Sequence, residues 1–179
     1  MTNVRKFLLH RILYRTERTL NIIDSHKQPR QSLTLAQYVE WRNGVPLGDA
    51  NSMRNMLHRS LGASSFARFW QYWNPIWGYG LGKYVYAPLA RFLPAAIALI
   101  ATFIVSGGLH DLATMAVRRS IAFLFTPWFF LLGIGVVLGH LVNMDLSNQA
   151  WLVRASVNLT YLIICLLLTL LLKRILAIP

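Results

Sequence analysis

The sequence predicts an all-α integral membrane protein with about three transmembrane helices, a re-entrant or interfacial aromatic segment, and N-terminal amphipathic helices. Three observations predict it. The 179 residues are 55% hydrophobic and only 13% charged, too oily for an ordinary soluble domain. Three apolar windows, about 93–109, 120–143 and 153–172, approach or exceed the roughly 20 residues a helix needs to cross the hydrocarbon layer. The charge is lopsided: 13 of the 18 basic residues precede Leu93, in a chain of net charge +12.

From Val4 to Ile23 the apolar residues Val4, Phe7, Leu8, Ile12, Leu20 and Ile23 recur near helical spacing with basic residues between them, the pattern of a helix lying in the interface. Arg5, Lys6, Arg11, Arg15 and Arg18 are spread through the apolar positions rather than clustered before an apolar run, which argues against a cleavable secretory signal. After the break HKQPRQ, Thr34 and Gln37 have capping-box spacing, and Asn43-Gly44 supplies a stop. A second short helix, SMRNMLHRSL, runs to Gly62, and Ser64 or Ser65 caps the next. These pieces make up a basic N-terminal region, 1–64, ahead of a membrane domain, 65–179.

The membrane domain opens with SFARFWQYWNPIWGYGLGKYVYAPL, residues 65–89. Phe66, Trp70, Trp73 and Trp77 follow helical spacing, but Pro75 interrupts any helix and pushes Asn74 out of the helical region. Trp, Tyr and Lys at this density suit the headgroup level. The segment reads equally as an interfacial anchor or as a re-entrant stretch bent at Gly78, Gly80 and Gly82, its irregular backbone lining a cavity. The first apolar window ends in SGGLHD. The second contains Pro127, an expected kink, and the Gly135/Gly139 pair of close-packing spacing. The third contains the single cysteine, Cys165, and ends at Lys173 and Arg174. The basic bias places the part before Leu93 on the cytoplasmic side, against anionic lipid. Three crossings then put the C-terminus opposite, against the pull of Lys173 and Arg174. No groove-reading or base-stacking motif accompanies the charge, so no nucleic acid is expected as a partner.

His110 is the leading candidate for chemistry. A histidine at membrane depth is a functional hypothesis by default, and a neutral imidazole is the form a general base needs. The bland alternative is a ring bonded to a carbonyl at a helix end. Ser106, Gly107 and Gly108 leave space beside it for a substrate chain or another helix. His140 is a weaker candidate near the end of its window. No metal site is expected: His110 and Asp111 are adjacent and do not share a helix face, and no His-x-x-x-His or cysteine pair occurs.

FARFWQYWNP, then GKYVYAPLARFLP, then an apolar helix ending FIVSGGLHD together resemble the core of the membrane-bound O-acyltransferase (MBOAT) superfamily, over about residues 65–112. In that family an FW-x-x-W-[HN] motif precedes a Y-x-Y-x-P-L-like segment and an apolar helix closing in S-[GA]-x-x-H-[GDE]. The resemblance implies acyl transfer from acyl-CoA or another thioester to a hydroxyl of a lipid or glycan, with His110 and Asn74 as catalytic residues. It marks Trp70, Trp73, Tyr84, Tyr86, Ser106 and Gly107 as substrate-binding candidates. Acyl-CoA is a co-substrate, and no resident cofactor is implied. Family members surround a tunnel with more spans than three, so the expected partners are membrane lipids and either further copies of the chain or another membrane protein. Gly135, Gly139, Asn158 and Thr160 are the expected contact points. The expected location is a bacterial inner membrane, as a multi-pass protein. The competing reading is a non-catalytic membrane subunit that keeps an MBOAT-like core and binds a lipid or a protein.

Overall fold

In the computed structural model, residues 33–119 and 123–176 are described. The amphipathic stretch expected over 4–23 lies outside the described residues. Among those described, all regular structure is helical.

The short helices start and stop where their local chemistry dictates. α1, Leu35–Asn43, ends at Gly44, whose φ of 79° is a left-handed conformation that glycine adopts without strain. α2, Ser52–Leu61, closes on Gly62, which donates to the His58 carbonyl. α3, Phe66–Tyr72, begins at Ser65, whose hydroxyl accepts from the Arg68 N–H. Pro75 stops α3 and starts α4, Pro75–Leu81, with proline at the first helical position, where its missing N–H costs nothing. A π-helical turn, Gly82–Tyr86, and a single turn α5, Ala87–Leu89, complete the aromatic segment. Gly78, Gly80 and Gly82 therefore do not bend the chain; they sit in helical backbone with open space where a side chain would be. The break lies at Trp73, whose backbone is extended, and Asn74, which is left-handed at φ 41°.

Three longer helices follow. α6 is Ala95–Arg118, α7 is Phe125–Leu141 and α8 is Trp151–Leu176. α6 outruns the window expected for it: it continues eight residues past His110, because the apolar run resumes at Leu112 and Ala113. α7 is shorter than its window and begins at Phe125, so Pro127 falls in its first turn and no kink is needed.

α6 and α7 are antiparallel neighbours. Gly107 meets the backbone of Phe125 and Thr126 near the start of α7, and Gly133 meets Ile100 and Phe103 toward its middle. α8 is fastened at several points. Trp128 donates its indole N–H to the Leu162 carbonyl at 3.3 Å, and Tyr161 donates to the Leu132 carbonyl. Gly135 lies against the Tyr161 ring, and Gly139 faces Phe66. At the start of α8, Trp151 donates to the His58 carbonyl at 3.0 Å and stacks on the His58 ring. Asn158, fully buried, donates to the carbonyls of Leu61 and Ala63 at 2.8 and 2.9 Å. These are carbonyls that the end of α2 leaves without helical partners. Gly135 and Asn158, expected to serve contacts between proteins, are thus used inside this one. α1 and α2 pack on α4 and α8, so the compact unit begins at Leu35, and the boundary expected between 64 and 65 falls inside it.

α6 and α8, at 24 and 26 residues, are long and apolar enough to cross a membrane; α7, at 17, is a shorter apolar helix. At 1.5 Å per residue they measure about 36, 39 and 25 Å. The faces of α6 and α8 are sorted opposite to those of a soluble protein, whereas α7 buries Leu132 and Val136 beside Gly133. The buried residues are small or polar: Ala98, Thr102, Ser106, Gly107 and Asp111 on α6, and Ala155, Asn158, Cys165 and Thr169 on α8. Leucine and isoleucine face outward, and only 28% of the most apolar stretch of each long helix is buried. Thr102 and Thr169 bond back to carbonyls four residues earlier, which lets a hydroxyl sit inside without a partner on another helix.

Candidate active site

His110 is half-buried, and α6 places it about 12 Å along the axis from the end of that helix. Its Nδ1 lies 2.7 Å from the Ser106 carbonyl oxygen. A carbonyl can only accept, so Nδ1 carries the proton. In the neutral ring the lone pair is then on Nε2. Aromatic rings surround the imidazole: Trp77 stands edge-on with ring centres 5.6 Å apart, and Phe125 and Phe129 lie at 5.5 and 5.2 Å. The ring is thus oriented by a hydrogen bond on one nitrogen and walled by apolar surface, the arrangement that suits a base for a substrate of low polarity.

Asp111, the next residue, turns instead to the start of α7 and is 2% exposed. Its Oδ1 accepts from the N–H groups of Leu124 and Phe125 at 2.9 and 2.8 Å, and its Oδ2 from the Thr126 N–H and hydroxyl at 2.8 and 2.6 Å. These are N–H groups that the first turn of a helix cannot satisfy, at the positive end of its dipole. One carboxylate therefore pins α7 to α6 and sets Phe125 and Phe129 against His110. Gly107 completes the joint. A Cβ there would come within 2.6 Å of the Phe125 carbonyl oxygen and 2.8 Å of the Thr126 Cα, so its space belongs to α7 and not to a substrate.

Asn74 does not meet His110 directly. It is exposed, and its Oδ1 accepts from the Trp77 N–H at 3.2 Å as the cap of α4. Its own N–H points at the Met56 sulfur. The link to His110 runs through Trp77, whose indole N–H donates to the buried Ser106 hydroxyl at 2.9 Å. Ser106 is thus the hub of the site, with its hydroxyl holding Trp77 and its carbonyl holding His110.

The other expected binding residues scatter. Trp70 is edge-on to Phe103 at 5.1 Å and tilted against Phe129 at 6.0 Å. Trp73 stacks on Phe69, away from the imidazole. Tyr84 is 71% exposed beside Lys83, and Tyr86 is half-buried in the π-helical turn. The phenols of Tyr79 and Tyr84 hold the Lys83 ammonium above its ordinary pKa. In the loop after α7, the Ser147 N–H and hydroxyl hold the Asp145 carboxyl below its ordinary pKa. His140 is half-buried in the last turn of α7. An open groove of about 370 Å³ lined by Phe66, Ser156, Val157, Thr160, Tyr161 and Ile164 is a feature of the α8 surface and includes none of the site residues. Among the described residues no cluster of His, Cys, Asp and Glu could hold a metal ion; both Asp111 oxygens are already occupied.

Sequence reasoning missed Trp77, Phe125, Phe129 and the role of Asp111. Comparison with protein-family models, curated proteins and solved structures gives no match for this chain.

Proposed function

We propose that the protein is a membrane-embedded O-acyltransferase in which His110 is the general base. The observation that carries this reading is the His110 ring, packed among Trp77, Phe125 and Phe129 with Nδ1 bonded to the Ser106 carbonyl, which leaves Nε2 as the nitrogen to accept a proton. The MBOAT-like order of motifs supports it: Asn74 of FW-x-x-WN caps the turn that carries Trp77, and Trp77 bonds Ser106 of SGGLHD. In the reaction, Nε2 takes the proton of an acceptor hydroxyl as its oxygen attacks the thioester carbonyl of acyl-CoA. The tetrahedral intermediate collapses with loss of the thiolate, and the imidazolium returns the proton to sulfur. Such a base contributes roughly 10²–10⁴-fold. Asn74 acts as a positioning residue, holding α4 so that Trp77 meets Ser106.

The outward Leu and Ile of α6 and α8 support insertion in lipid, with α7, about 25 Å long, as a third crossing in a thinned bilayer. The basic segment before Leu93 then faces the cytoplasm of a bacterial inner membrane. Lipids, and copies of the chain or another membrane protein, complete a chamber that three spans cannot close.

A second reading, a non-catalytic subunit with the same core, is favoured by one fact: the Asn74 amide oxygen is spent on a helix cap. Incubation with labelled acyl-CoA and cell-envelope lipids separates the two. The acyltransferase reading expects product, reduced about 10²-fold or more in H110A. Equal turnover by the wild type and H110A would refute His110 as the base, and no product with any acceptor fraction would leave the subunit reading standing.

A further inference from the structure

The guanidinium of Arg42 is the most deeply buried cation among the described residues. Arg42 is only 5% exposed, yet it forms a single hydrogen bond, from Nη1 to the Gln71 Oε1 at 2.9 Å, and its Nε is buried with no partner. Its other neighbours are rings: Trp41, 4.0 Å below the guanidinium carbon, and Tyr38 at 5.3 Å. None of the described carboxylates pairs with it. Asp49, Asp111 and Asp145 are bonded elsewhere, and Glu40 lies exposed on another face of α1. An arginine cannot shed its proton to relieve burial, as a lysine can, and an aromatic face compensates only part of the lost hydration. One of its five N–H donors is used, and the described residues supply no anion for the rest.

We propose that Arg42 binds a phosphate ester. The planar fork of N–H groups fits two phosphate oxygens. A row of rings leads from Arg42 to a second cation: Arg42 lies against Tyr38, Tyr38 against Tyr79 with ring centres 5.4 Å apart, and Tyr79 against the exposed Lys83. The proposal rests on the membrane reading, which puts these tyrosines and Trp41 at headgroup depth, and not on the role of His110. The phosphate comes either from a phospholipid headgroup or from a soluble ester such as coenzyme A.

The test uses the full-length protein in neutral detergent, stripped of lipid, with its thermal midpoint followed by tryptophan fluorescence. Three probes are titrated: dihexanoyl phosphatidylglycerol, coenzyme A, and dioctanoylglycerol, which lacks the phosphate. The wild type is expected to gain thermal stability with the first or the second and not with the third. A response to the lipid alone identifies a headgroup site, and a response to coenzyme A alone a soluble ester. R42Q is expected to bind the effective probe about 10- to 100-fold more weakly, the loss of a charge-assisted pair. K83Q, altered on the surface, serves where R42Q does not fold, and weakens binding by a smaller factor. A wild type that responds to neither phosphate probe overturns the proposal, as does an equal response in wild type and R42Q, or in wild type and K83Q where R42Q does not fold. Flotation with phosphatidylglycerol vesicles is measured in parallel: failure of both wild type and R42Q to float indicts the membrane reading instead.

Discussion

Replacing Asp111 should loosen the joint on which the candidate site is built. In D111A, three backbone N–H groups and the Thr126 hydroxyl lose their acceptor, in a place where the residue is 2% exposed. A hydrogen bond to a charged group contributes about 1.5–3 kcal/mol, and such values do not simply add within one network. We expect D111A to cost about 3–5 kcal/mol. D111N keeps the shape and can still accept from Leu124 and Phe125 through one oxygen, but its amide N–H₂ then faces the Thr126 N–H, donor against donor. Its cost should be nearer 2 kcal/mol. Unfolding in mixed micelles, followed by tryptophan fluorescence, gives the global values. Hydrogen exchange at the amides of 124, 125 and 126 gives the local one, with exchange faster by about 10²-fold or more in D111A, the equivalent of roughly 3 kcal/mol. A D111A protein within 1 kcal/mol of the wild type, with unchanged exchange at those three amides, would show that the carboxylate does not hold α7.

Neighbouring glycines should respond oppositely. G107A drives a methyl into the Phe125 and Thr126 backbone and should cost about 1–3 kcal/mol, whereas G108A meets only the Thr126 hydroxyl at 3.8 Å and should be neutral or stabilising by up to about 1 kcal/mol; comparable unfolding midpoints for the two would contradict this. At Asn74, alanine loses the cap of α4 and must hold a left-handed φ of 41°, about 1 kcal/mol for each effect, while glycine loses only the cap. N74G should therefore unfold later than N74A, and the reverse order would argue against the strain. N158A removes the two bonds to the end of α2 and should cost about 2–3 kcal/mol, with faster proteolysis between α2 and α3 as its local sign; unchanged cleavage there would mean that α8 does not secure α2.

Local punctuation was legible from the residues themselves. Gly44, Gly62, Ser65 and Pro75 mark helix ends by short-range backbone chemistry that needs no tertiary information, and each sits at such an end. The reach of α6 past His110 was less legible, since apolarity and helix propensity both fall at Ser106 to Asp111, where two glycines are adjacent. The roles of small and polar residues were the least legible. Gly107 and Asn158 could have served a substrate or a partner protein as well as a neighbouring helix, and composition does not distinguish these. Asp111 shows why: its partners at 124–126 are close in space only because the chain reverses between two helices, and no spacing rule in the sequence encodes that reversal.

The hydrogen bond between His110 Nδ1 and the Ser106 carbonyl spans one turn of a single helix. The identity of the basic nitrogen is accordingly a property of secondary structure, fixed as soon as α6 winds and independent of what later packs around it. Base and surroundings are separable in such a design. Trp77, Phe125 and Phe129 arrive from other elements and pack around the ring, so changes in those walls alter the surroundings of the imidazole without altering which nitrogen bonds the Ser106 carbonyl.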